Sequence, residues 1–120
     1  MHELAIARSI SAIATRAAQG RPVAVVELDI GQLRQVVPAS LVSCWSIVSQ
    51  GTVLERSRLA IRSCPAILRC RDCGAETAPA SLAILRCAGC ASAAVDVVSG
   101  QEMVVSSLVL EDSDGTLSSP

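Results

Sequence analysis

Four cysteines set the tightest constraint on how this chain can fold. Cys70-Arg71-Asp72-Cys73-Gly74 is followed by Cys87-Ala88-Gly89-Cys90, giving the spacing C-x2-C-x13-C-x2-C. Each pair makes a tight knuckle that aims two thiolates at one point. Zinc prefers tetrahedral sulfur at about 2.3 Å, and two knuckles supply it with no position left for water. A structural zinc site is the expectation. Gly74 suits a knuckle, where the backbone turns sharply; Ala91 stands where the second knuckle would also favour glycine. The alternatives fit less well. Two disulfides or unrelated buried thiols ignore the paired spacing. A rubredoxin-like iron site uses the same thiolates but usually carries aromatics, which are lacking here. A redox C-x2-C on a thioredoxin-like helix accounts for one pair only.

The rest of the chain is one domain's worth of 120 residues, 51% of them hydrophobic, with one Trp and neither Phe nor Tyr. The core must therefore be Val, Leu, Ile and Ala. Net charge is −1 and the ten basic residues, all Arg, are scattered, so no electrostatic footprint for nucleic acid exists. Arg8 interrupts the first apolar run, and no secretory leader is expected. The longest uncharged stretch, Val36–Leu54, holds Pro38, Gly51 and serines at 40, 43, 46 and 49. That pattern suits an amphipathic helix and not a membrane span. A cytoplasmic location without membrane association is expected, where cysteines serve as metal ligands or buried thiols before disulfides.

Periodicity places the remaining elements. Residues 3–19 predict a helix with Ile6, Ile10, Ile13 and Ala17 on its buried face, ended by Gly20 and Pro22. Residues 23–30 predict a strand in which Val26, Leu28 and Ile30 alternate with Glu27 and Asp29. Pro38 opens a second helix whose stripe is Leu41, Cys44, Trp45 and Val48. Residues 58–64 and 102–112 predict two more strands. The last strand needs a sheet to join, and that sheet lies before the cysteines. The expected fold class is therefore α+β: two helices on a small three-stranded sheet, with an inserted four-cysteine zinc-ribbon module. The expected boundaries are 1–65 with 99–112 for the α+β domain, 66–98 for the module, and 113–120 for a disordered tail. Cys44 and Cys64, each alone in an apolar element, read as buried inert thiols.

The first residues offer a second donor set. His2 is the only histidine. Its imidazole, the α-amine, and the amides of His2 and Glu3 lie close along the chain, and nickel(II) favours planar nitrogen and oxygen donors. Residue chemistry alone leaves open both metal binding and a frayed terminal histidine.

Taken together these segments resemble the hydrogenase nickel-incorporation proteins of the HypA/HybF type. The match starts at Met1-His2-Glu3-Leu4 and runs through Glu27-Leu28-Asp29-Ile30-Gly31-Gln32-Leu33 and Val37-Pro38-Ala39-Ser40-Leu41. It continues through Gly51-Thr52 and Leu59-Ala60-Ile61, the two cysteine pairs, and Gly100-Gln101-Glu102-Met103. The resemblance implies a nickel domain carrying the zinc module before its last strand. It implies nickel bound by His2, with the Glu3 backbone assisting, and zinc bound by Cys70, Cys73, Cys87 and Cys90. It also implies a metallochaperone and not an enzyme, with no catalytic residues. The implied partners are a nickel-delivery GTPase, the large subunit of [NiFe] hydrogenase, and, for some members, urease accessory proteins. One departure is Ala39, where members often have Glu; an acidic nickel ligand there is not expected.

Two other classes remain to be separated from this one. A generic zinc-ribbon adaptor would give His2 no role. A zinc hydrolase would need an open coordination position and a nearby base, and four cysteines leave neither.

Overall fold

Small side chains decide how the first helix packs. In the computed structural model, which describes residues 2–111 and 117–118, α1 spans Glu3–Ala18 and buries Ala7, Ile10, Ala14 and Ala18 together with Glu3. The stripe expected at Ile6, Ile10, Ile13 and Ala17 is thus turned by about one residue, and Ile13 is 54% exposed. The helix packs against α2, Pro38–Val48. Pro38 sits at the helix start, as its fixed φ favours. Leu41 and Trp45 are buried on the inner stripe, and Trp45 Nε1 donates to Ser57 Oγ at 3.0 Å.

The strands follow alternation. β1 covers Val23–Gly31 with Val23, Val25, Val26, Leu28 and Ile30 buried. It supplies five of the buried apolar side chains. A 3-10 turn, Gln32–Arg34, follows it. β2 is Arg58–Cys64, β3 Ile67–Cys70, β4 Glu76–Thr77, β5 Val95–Ser99, β6 Met103–Glu111 and β7 Leu117–Ser118. One sheet has the order β2-β1-β6-β7 and the other β4-β3-β5. The Glu111 N–H donates to the Pro22 carbonyl and the Gly31 N–H to the Glu102 carbonyl, so β1 and β6 run antiparallel. The first sheet is the expected three strands plus β7, which pairs Leu117 with Glu111 and Ser118 with Leu110. The expected tail, 113–120, otherwise lies outside the described residues.

The chain forms two compact units: residues 1–29, 36–62 and 104–120, and residues 30–35 and 63–103. Hydrogen bonds gather the flanks of the second unit. Leu33 N–H donates to the Gly100 carbonyl, Arg34 Nε to the Gln101 carbonyl, and Ala66 N–H to Gln32 Oε1. Gly31 admits this approach, since a Cβ there would run into the Gly100 carbonyl. β3 pairs antiparallel with both β4 and β5; these short strands carry no periodicity that the sequence could announce. Among the described residues, no helix is long and apolar enough to cross a membrane.

Candidate metal centre

Each cysteine pair is held by the same pair of backbone bonds. In the first knuckle, Gly74 N–H donates to the Cys70 carbonyl at 3.0 Å and Cys70 N–H to the Ala75 carbonyl at 2.9 Å. In the second, Ala91 N–H donates to the Cys87 carbonyl at 2.8 Å and Cys87 N–H to the Ser92 carbonyl at 2.9 Å. The residue that closes each turn is left-handed: φ is +76° at Gly74 and +63° at Ala91. Alanine therefore occupies a conformation that glycine adopts without cost.

These turns bring all four sulfurs within 4.8 Å of one another. Cys70 Sγ and Cys90 Sγ are 3.6 Å apart, as are Cys73 Sγ and Cys87 Sγ. A tetrahedron with metal–sulfur bonds of about 2.3 Å has edges of about 3.8 Å, so the donor set fits a thiophilic cation. The first cysteine of each pair is buried, and the second, Cys73 or Cys90, is exposed. Cys44 and Cys64 are only half-buried, not fully buried as expected, and stand outside this cluster.

The electrostatics call for a cation as well. The Cys73 N–H lowers the Cys70 thiol, and the Cys90 and Gly89 amides bring Cys87 down to about 6. Their partners go the other way. The Ala75 amide favours the Cys73 thiolate, but Cys87, Cys70 and burial outweigh it and raise the thiol. The Ser92 amide favours the Cys90 thiolate, but Cys70, burial, Cys73 and Cys87 push that thiol up to about 12. Four thiolates cannot share so small a volume without a counter-charge, and a divalent ion supplies it.

The other predicted site residues, His2 and Glu3, lie at the start of α1. His2 is exposed, and its carbonyl accepts the first helical bond, from Ile6 N–H at 3.0 Å. The amides of His2 and Glu3 precede that bond and take no part in the helical ladder. The Glu3 side chain is buried, and one carboxylate oxygen accepts from Val37 N–H at 3.2 Å. It thereby places an anion at the N-terminus of α2, where Val37 has no capping side chain of its own. The terminal ammonium and then the Val37 N–H lower the Glu3 carboxyl from the ordinary 4.5 to about 2. Sequence reasoning assigned Glu3 a backbone role and missed this side-chain role, because the two partners are 34 residues apart.

An α+β unit joined to a four-thiolate knuckle module defines a metal-handling protein of small size, built around a closed tetrahedral site. A family model described as hydrogenase/urease nickel incorporation, metallochaperone, hypA matches residues 1–110. The hydrogenase maturation factor HypA of Geotalea uraniireducens (strain Rf4) is 41% identical over 111 residues, covering 92% of this chain and 100% of the relative. That of Nostoc sp. (strain PCC 7120) is 38% identical over 115 residues, covering 93% and 97%. The solution structure of the Ni metallochaperone HypA from Helicobacter pylori superposes with a TM-score of 0.65 at 26% identity, over 90% of this chain and 96% of that one. The chain belongs to the HypA family of hydrogenase and urease nickel-incorporation metallochaperones. Its work is metal handling in hydrogenase maturation and not catalysis.

Proposed function

We propose that residues 1–65 with 99–112 form the nickel-binding part and that the cysteine module is a structural zinc site. Nickel(II) is transient cargo, held by the His2 imidazole with backbone nitrogens of the first residues, including that of Glu3. Zinc is held by Cys70, Cys73, Cys87 and Cys90. The observation that carries the nickel half is the position of His2. It is exposed at the first turn of α1, where binding can displace amide protons without breaking a helical hydrogen bond. A site on the surface can hold a metal and still open one side to a partner. The zinc half follows from four sulfur donors at tetrahedral spacing.

In this reading a nickel-delivery GTPase supplies the metal and the large subunit of [NiFe] hydrogenase receives it, in the cytoplasm, with urease accessory proteins as further partners. Neither nucleic acid nor membrane takes part. The test is a calorimetric nickel titration of zinc-loaded protein with its native N-terminus. His2→Ala abolishes tight nickel binding while zinc content and helical circular dichroism stay unchanged. A variant that binds nickel like the unmodified protein overturns the assignment. Because amide protons are released, nickel binding tightens as pH rises; the opposite slope refutes the amide ligands.

A further inference from the structure

The metal ligands are not the only link between the two knuckles. Asp72 lies inside the first pair, and Ser92 follows the second. The Ser92 hydroxyl donates to the Asp72 carboxylate, and Ser92 Oγ accepts from Ala94 N–H at 3.0 Å. The Asp72 backbone amide also favours the Cys70 thiolate, and the Ser92 amide the Cys90 thiolate. Those two sulfurs are 3.6 Å apart. The Asp72–Ser92 bond thus links the two knuckles that hold this sulfur pair. Neither Asp72 nor Ser92 supplies a metal ligand. On its other flank the second knuckle has a separate strap, Ala88 N–H donating to Thr77 Oγ1 at 3.2 Å.

We propose that the Asp72–Ser92 pair is a latch across the two knuckles that positions the Cys70 and Cys90 sulfurs and sets how fast the bound metal escapes. The inference rests on the assignment of the four cysteines as a zinc site. Metal release must begin with a ligand that leaves; Cys73 and Cys90 are exposed where Cys70 and Cys87 are buried, and Cys90 is the exposed sulfur beside Cys70. Moving the second knuckle off the first separates Cys90 from Cys70, and the Asp72–Ser92 bond resists that motion. A role through charge alone predicts equal effects of Asp72→Ala and Asp72→Asn, since both remove the carboxylate.

The experiment measures zinc transfer to a chromophoric chelator from full-length protein, after elemental analysis of each variant. Asp72→Ala should release zinc roughly tenfold faster, the size one charge-assisted hydrogen bond carries. Asp72→Asn keeps an acceptor oxygen and should stay within about threefold of the unmodified protein. Ser92→Ala should also speed release, and the double variant should be no faster than the faster single, because both remove one bond. Cobalt(II) in place of zinc should show altered ligand-field bands in Asp72→Ala and native-like bands in Asp72→Asn. Asp72→Ala that releases zinc no faster than the unmodified protein overturns the latch. So do equal changes in Asp72→Ala and Asp72→Asn, or additive effects in the double variant. If Asp72→Ala retains no zinc, retention by Asp72→Asn supports the latch and loss from both overturns it. Unmodified protein with less than one zinc per chain overturns the zinc assignment instead, so the two failures are distinct.

Discussion

Replacing Ala91 by glycine should tighten zinc binding about threefold, and replacing Gly74 by alanine should weaken it by a similar factor. The two residues close equivalent turns, each donating its N–H to the carbonyl of the first cysteine of its pair, and both have φ in the left-handed region. An alanine there costs about 1–2 kcal/mol. Glycine avoids that cost but frees the unfolded chain, which takes back about 0.4–1 kcal/mol. The difference is about 0.7 kcal/mol, or a factor of about three at 1.4 kcal/mol per decade. It appears in zinc affinity because a module of this kind folds around its metal. Sterics do not confuse the comparison, since a Cβ at Gly74 meets nothing within 4 Å. Chelator competition at neutral pH reads both variants. Weaker zinc binding in Ala91→Gly, or unchanged affinity in Gly74→Ala, would refute the conformational reasoning.

Cys87→Ala should lose the zinc, worth roughly 10–16 kcal/mol in small zinc-finger peptides; amide exchange should rise across 66–98 while the helical signal of α1 and α2 persists, and stoichiometric zinc in the variant would count against the site. Glu3 has a carboxyl lowered to about 2 by the terminal ammonium and the Val37 N–H, so the stability it contributes is present above about 4.5 and is lost as pH falls toward 2. Glu3→Gln should therefore lower the melting temperature at neutral pH and flatten its acid dependence over that window; an unchanged acid profile would show that Glu3 is not the group titrating. Gly31→Ala should destabilise the protein by about 3 kcal/mol, because the new Cβ meets the Gly100 backbone and not a flexible side chain; a melting temperature equal to the unmodified protein would contradict that contact. An uncleaved N-terminal extension free of metal-binding residues should weaken nickel binding and leave zinc content unchanged, whereas equal nickel affinity would remove the α-amine from the ligand set.

Local chemistry made half of this molecule readable. Cysteine spacing alone places four sulfurs around one point, since a C-x2-C knuckle needs only its own backbone to form. Strand alternation in residues 23–30 and the proline at 38 worked for the same reason. The failures share the opposite property. Choosing Ile13 over Ala14 for the buried face of α1 weighed hydrophobicity and ignored size, and tertiary packing selects the small side chain. Glu3 with Val37, Gln32 with Ala66 and Asp72 with Ser92 are separated by 34, 34 and 20 residues, and no periodicity links such pairs. β3, β4 and β5 run for four, two and five residues, too short for a pattern to show.

The nickel half was hidden for a different reason, and it bears on how such a site can work. Most of its proposed donors are backbone nitrogens, which every residue carries, so only His2 leaves a trace in composition. What distinguishes these nitrogens is position: they precede the first helical hydrogen bond of α1. A cation at a helix N-terminus faces the positive end of the dipole. Under the proposed ligand set, deprotonated amides reverse that local charge, so the metal would be held only while the amides stay ionised. Reprotonation would restore the repulsion and expel it. Under the proposed ligand set, the helix start therefore favours release as much as binding, which is what a carrier of transient cargo requires.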